Sequence, residues 1–161
     1  MAINKDRIQI SAHPGASAWT DLRRRLCPRG GRLTPQRMAI YEAVVGRTSH
    51  PSVLAVYEEV RRRFPALSPA TVYSTLDLFA RLGLVQEVSG PVRRYDGQAG
   101  VHINLVCRRC GRVLDVVDAE LDALQRRAAA RARFQVSAVR FELHGVCPRC
   151  RRRQGRRNGG H

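Results

Sequence analysis

The sequence predicts an α+β protein: an N-terminal winged helix-turn-helix domain followed by a small α/β dimerisation domain with a four-cysteine zinc site. Three observations lead there. Helical patterning up to about residue 83 gives way to two short strand-like runs around Ser89-Gly90-Pro91, the order of a winged helix. Beyond Asp96 the pattern becomes strand-like. Four of the five cysteines form two pairs, Cys107-Arg-Arg-Cys110 and Cys147-Pro-Arg-Cys150. The expected division is a flexible lead-in over 1–17, a winged-helix domain over 18–96, a hinge over 97–100, a dimerisation and metal-binding domain over 101–150, and a disordered basic tail over 151–161.

Residues 1–17 lack periodicity and mix Pro, Gly and Ser, so structure is expected from near Trp19. A short helix over 21–26 is broken by Cys27-Pro28-Arg29-Gly30-Gly31. Thr34-Pro35 supplies an N-cap and a first-turn proline for a helix to about Gly46, with Ile40 and Val44 inward. The next helix opens at Ser52 and sets Val53, Val56, Tyr57, Val60 and Phe64 in one stripe before Pro65. Ser68-Pro69 starts a third, in which Val72, Thr75, Leu76 and Phe79 point one way and Ala70, Ser74 and Asp77 the other. Gly83 ends it, and strands follow over 84–88 and 92–95. In the second part, strands are expected over 103–106 and 112–116 and a helix over 118–133. Val139, Phe141 and Leu143 alternate with Arg140, Glu142 and His144 as a half-buried strand. This β-β-α-β unit is small enough to need metal and dimerisation for support.

The 161 residues are 43% hydrophobic and 26% charged, ordinary for a globular protein. No apolar run approaches the roughly 20 residues of a membrane span, and the N-terminus lacks a signal-peptide core, so no membrane partner and a cytoplasmic location are expected. Lys plus Arg number 29 against 13 Asp plus Glu, a formal charge of +16, and Lys5 is the single lysine. Such an excess points to a polyanionic partner. Residues 151–161 hold five arginines and no apolar side chain. No nucleophile, base and orienting group suggest hydrolysis, and no enzymatic activity is expected.

Two CxxC pairs supply four thiolates, the closed tetrahedral shell of structural zinc, so Cys107, Cys110, Cys147 and Cys150 are read as ligands of Zn2+. The rivals are a redox pair, which usually sits at a helix start after a strand, and unligated core cysteines. Cys27 is left over, and His144 is unassigned. The helix from Ser68 would present Ala70, Thr71, Tyr73 and Ser74 to base edges in the major groove of a double-stranded DNA operator. Arg37, Arg61 to Arg63, and Arg93 and Arg94 would hold phosphates. By pattern alone, Tyr73 is equally an ordinary half-buried aromatic and the arginines a solvated face.

The segments Leu33-Thr34-Pro35-Gln36-Arg37, His50-Pro51, Ser68-Pro69-Ala70-Thr71-Val72-Tyr73-Ser74-Thr75-Leu76 and Arg94-Tyr95-Asp96 belong together in this order. With His102-Ile103-Asn104-Leu105-Val106-Cys107-Arg108-Arg109-Cys110-Gly111 and the closing Cys147 to Cys150, they resemble the ferric uptake regulator family over about 21–152. The resemblance implies a homodimeric, metal-dependent repressor with a regulatory metal site at the hinge, whose positions here read His50, Asp96, His102, Asn104 and Asp115. Asn104 departs from the family's second histidine. Two nitrogens and up to three oxygens suit Fe2+ or Mn2+ better than Zn2+. Two aspartates as the acidic members resemble the peroxide-sensing branch, in which bound Fe(II) reduces peroxide and ligand histidines are oxidised. Val101 and Ile103 stand where an accessory site's ligands often lie. A reversible iron- or manganese-uptake regulator is the alternative within the family. From other classes stand a zinc-supported basic RNA-binding module, which needs no hinge ligands, and a thiol oxidoreductase.

Overall fold

The computed structural model describes residues 16–158 apart from 30, 99 and 137. The expectations for 1–15 and 159–161, and for Ala99 within the hinge, lie outside the described residues. The chain runs α1 (Ala16–Leu26), a 3-10 turn (Cys27–Arg29), α2 (Pro35–Glu42), α3 (Val53–Val60), α4 (Pro69–Arg81), β1 (Gln86–Val88), β2 (Arg94–Asp96), β3 (Ile103–Cys107), β4 (Val113–Val116), α5 (Ala119–Ala132), β5 (Phe141–Gly145) and α6 (Pro148–Asn158). Among the described residues, no helix is long and apolar enough to cross a membrane.

Three helices begin as their sequences predict. Thr34, Ser52 and Ser68 each accept a hydrogen bond from the backbone N–H three residues on, at Arg37, Ala55 and Thr71, and each such cap contributes about 1 kcal/mol. The inward stripe of α4 packs on α3 and α2 with Ile40, Val44, Val56 and Val60, all buried. Leu22 and Leu26 of α1 close the same core. Helix α2 stops at Glu42 rather than near Gly46, because residues 44–46 leave the helix and Val45 pairs with Gly97 beyond β2. Helix α3 ends at Val60, yet Phe64 N–H still bonds Val60 O and its ring packs on the core.

Strands β1 and β2 form an antiparallel hairpin, and residue 52 adds a bridge to Arg94 on the outer side of β2. The second sheet has order β4-β3-β5, with β3 antiparallel to β4 and parallel to β5. Its α5 is capped by the Asp118 side chain, with Arg133 in the left-handed region at its end.

Four expectations are corrected. Ala16 and Ser17 are helical rather than part of a lead-in, since α1 starts there. Val139 lies before β5, and Leu143 is 57% exposed, so this strand is not half-buried by alternation; within one chain nothing covers that side of the sheet. Residues 151–158 are helical, not disordered. Pro148 occupies the first turn and Cys147 and Cys150 anchor that turn to the rest of the fold, after which arginine, a good helix former, continues it. Gly97, expected as part of a flexible hinge, is a close approach: a Cβ there would stand 2.7 Å from Val45 Cα and 2.9 Å from Val44 O.

Candidate metal centres

The pairing of β3 with β4 and β5 brings the chain's two cysteine loops together. Cys107 closes β3, Gly111 turns the chain back with φ 66°, and its N–H bonds Cys107 O at 2.9 Å. Cys147 immediately precedes α6 and Cys150 lies in its first turn. All four sulfurs lie within 4.8 Å of one another. A tetrahedron of ~2.3 Å Zn–S bonds has edges of about 3.8 Å, and Cys110 Sγ stands 3.8 Å from Cys147 Sγ. Backbone N–H groups, first that of Cys147, pull the Cys107 pKa down to about 6. The N–H of Cys150 lowers Cys147, whereas burial, then the neighbouring thiols, pushes Cys150 up to about 12. Four such sulfurs ionise together only around a cation. Cys147 and Cys150 do have the helix-start placement of a redox pair, and it is the convergence of the second pair that fits zinc instead. Cys27 stands apart and exposed.

The second centre is built from both halves. Alternation on β3 puts His102 and Asn104 on one face, and register places Asp115 of β4 opposite Asn104. Asp96 ends β2. His50 comes from the loop after α2, which is pinned to β2 at both ends: Val45 pairs with Gly97, and Tyr95 N–H bonds Pro51 O at 3.1 Å. An Arg47–Glu59 ion pair holds the loop between. His50, Asp96, His102 and Asn104 are buried, and the Asp115 side chain is nearly so. His50 adopts φ 45°, which costs a non-glycine residue roughly 1–2 kcal/mol.

The rings are oriented alike. His50 Nδ1 lies 3.0 Å from Thr48 O, and His102 Nδ1 lies 3.1 Å from Gly100 O. A carbonyl only accepts, so both Nδ1 atoms carry protons and both Nε2 atoms face the acidic residues. His102 Nε2 is 2.7 Å from Asp96 Oδ2. His50 Nε2 is 2.8 Å from Asp115 Oδ1 and 4.0 Å from Asp96 Oδ1. The first of those separations is a hydrogen bond's but the alignment is not, and His50 Nε2, both Asp115 oxygens and Asn104 Oδ1 are buried without a hydrogen-bond partner. Asn104 donates its Nδ2–H to Asp96 Oδ2 at 3.2 Å. Burial opposes charge on His50, but Asp115 and then Asp96 outweigh it and raise its pKa. His102 is raised chiefly by its bond to Asp96. Burial alone would raise Asp96; the bonds from His102 and the Gln98 N–H reverse this and lower it.

All five sequence-expected positions of the second centre therefore converge, and their orphaned nitrogen and oxygen atoms fit a divalent cation. The carbonyls of Thr48 and Gly100, which orient the rings, were invisible in the sequence because any residue type supplies them. On α4, Ala70, Tyr73 and Ser74 are exposed at the N-terminal end, while Thr71 is half-buried beside the cap. Arg37 is half-buried at the start of α2, with Nη1 on Arg32 O at 2.8 Å. Three arginines differ from expectation as free phosphate holders. Arg63 pairs with Glu42 at 2.9 Å. Arg93 is engaged by Glu87 and Asp77, and Arg94 is half-buried between two backbone carbonyls.

Fold and centres together define a class: a zinc-stabilised metal-binding regulator whose second, mixed nitrogen and oxygen centre joins the helical half to the sheet half. The profile of the ferric uptake regulator family matches residues 28–144, and the chain belongs to that family. Membership carries the family's work, metal-dependent repression by a DNA-binding dimer that uses zinc together with iron or manganese. The peroxide operon regulator of Bacillus subtilis (strain 168) is 36% identical over 127 residues, 78% of this chain and 88% of that protein. The crystal structure of the Campylobacter jejuni peroxide stress regulator is similar with a TM-score of 0.62 at 29% identity, over 72% of this chain and 89% of that one. A zinc-bound manganese uptake regulator matches with a TM-score of 0.55 at 29% identity, over 79% and 98%.

Proposed function

We propose that the protein is a cytoplasmic, peroxide-responsive repressor in which His50, Asp96, His102, Asn104 and Asp115 hold the regulatory ion and Cys107, Cys110, Cys147 and Cys150 hold structural zinc. One observation carries the reading. Two buried imidazoles, each with its Nδ1–H on a carbonyl, bring Nε2 within 2.7–2.8 Å of carboxylates, a geometry that a cation between the partners satisfies. A proton on each ring meets that need without metal; the ion replaces both protons when it binds. Residues 18–96 act as a winged-helix DNA-binding domain and 101–150 as the dimerisation domain. Exposed Leu114, Leu143 and Val117 support a partner subunit on the sheet.

His50 belongs to the loop after α2 and the remaining donors to β2, β3 and β4. Holding one ion with all of them favours the closed arrangement and its spacing of the two α4 helices over a palindromic operator, where Ala70, Thr71, Tyr73 and Ser74 meet bases and Arg37 a phosphate. When bound, Fe(II) would supply electrons for the reduction of peroxide, which Mn(II) would not. His50 and His102 would be the rings beside it, each able to take one oxygen from peroxide with water as the other product; an oxidised ring is a poorer donor, so the closed arrangement would be released while the cysteine site persists.

The test loads the protein with Fe(II) or Mn(II), adds low peroxide, and measures mass and operator affinity. One added oxygen at His50 or His102 with loss of DNA binding, in the iron form only, is expected. Iron-loaded protein that keeps both rings and its affinity would replace this reading by reversible iron or manganese sensing, toward which Asn104 in place of a histidine leans.

A further inference from the structure

The Arg94 guanidinium bridges the loops of the two centres. Arg94 donates Nε–H to Gly111 O at 2.7 Å and Nη1–H to His50 O at 2.9 Å. Gly111 follows Cys110 in the cysteine loop, and His50 is the donor that the helical half contributes to the second centre. The side chain is half-buried. The His50 backbone that it holds is in the left-handed region ahead of Pro51, where the ring direction is set by Thr48 O. Such a conformation persists only when surrounding groups over-determine it, and Arg94 supplies one of those groups while Tyr95 N–H on Pro51 O supplies the next.

We propose that Arg94 is a positioning residue that ties the cysteine loop to His50, so that an ordered zinc loop is what holds His50 ready for the regulatory ion. The fork of the guanidinium is what makes this possible: two N–H groups point in fixed, divergent directions to carbonyls of two different segments. A lysine is a point charge on a flexible stem and satisfies one carbonyl at a time. The arrangement gives the regulatory centre a dependence on the structural one without a shared ligand. The inference rests on the regulatory reading of His50 given above.

The experiment compares wild type, Arg94→Lys and His50→Ala, each with zinc content and Mn(II) affinity measured by calorimetry. Loss of an outer-shell partner costs about 10- to 100-fold in metal affinity, so Arg94→Lys should weaken Mn(II) binding by that factor with a full zinc complement. Hydrogen exchange in the metal-free protein should show residues 48–52 opening faster in Arg94→Lys. A second arm needs no variant: with arginine labelled by nitrogen-15, the Arg94 Nε–H of wild type should exchange far more slowly than the exposed guanidinium of Arg62. Unchanged Mn(II) affinity in Arg94→Lys, or an Arg94 Nε–H that exchanges as fast as that of Arg62, overturns the proposal. If His50→Ala binds Mn(II) as wild type does, it is the regulatory reading that fails, and the exchange measurements still judge the clamp.

Discussion

Gly97→Ala separates two physical roles for the segment between the halves of the protein. A methyl at this position would stand 2.7 Å from Val45 Cα, 2.9 Å from Val44 O and 3.0 Å from Val44 C, all backbone atoms that no rotamer change can move. Reaching ordinary contact requires β2 and the 44–45 segment to part by about 0.4–0.7 Å, and overpacking of this kind costs about 1–3 kcal/mol. With roughly 2–4 °C of melting temperature lost per kcal/mol in a chain of this size, Tm should fall by about 2–12 °C. The separation falls between Asp96 and the loop that carries His50, widening the 4.0 Å gap between His50 Nε2 and Asp96 Oδ1. Mn(II) affinity should therefore drop by at least about tenfold, as for a displaced outer-shell support. If Gly97 were only a flexible joint, alanine would stabilise by about 0.4–1 kcal/mol by stiffening the unfolded chain. The signs are opposite. Calorimetric melting of wild type, Gly97→Ala and the control Gly145→Ala, where a Cβ meets nothing within 4 Å, decides between them. A Tm for Gly97→Ala at or above that of wild type refutes the close-approach argument.

Cys107→Ser or Cys150→Ser should release the zinc and loosen or dissociate the dimer, because zinc affinity in such a site is folding energy; zinc content and sedimentation check this, and a zinc-replete dimer of either variant would remove the cysteine assignment. Tyr73→Ala should reduce discrimination between operator and unrelated duplex, whereas Arg37→Ala should weaken binding to any duplex and lower the salt slope by about one unit. An unchanged slope for Arg37→Ala would count against a phosphate contact.

Local sequence was sufficient for most elements because their causes are local. Ser and Thr followed by proline cap and start α2 and α4, and a three-four stripe turns α3 toward the core. The convergence of four cysteines was legible from spacing, since two CxxC pairs carry their chemistry with them. The five residues of the second centre were named through resemblance; taken singly, a histidine before proline or an aspartate at a strand end carries no such signal. Three features depended on long-range packing. Residues 151–158 were expected to be disordered because composition alone describes an arginine-rich tail, while anchorage at Cys147 and Cys150 makes them a helix. Gly97 read as a flexible point because glycine has two uses, freedom and close approach, and only the neighbouring Val44 and Val45 backbone selects the second. Arg94 read as a phosphate contact because its partners, the carbonyls of His50 and Gly111, are 44 and 17 residues away and have no side-chain identity to detect. What sequence by itself determined was a set of candidate donors and the helix starts. Tertiary structure decided which of them meet, which backbone carbonyls aim the two imidazoles, and which arginine faces inward, since backbone groups are the same in every residue and only folding assigns them neighbours.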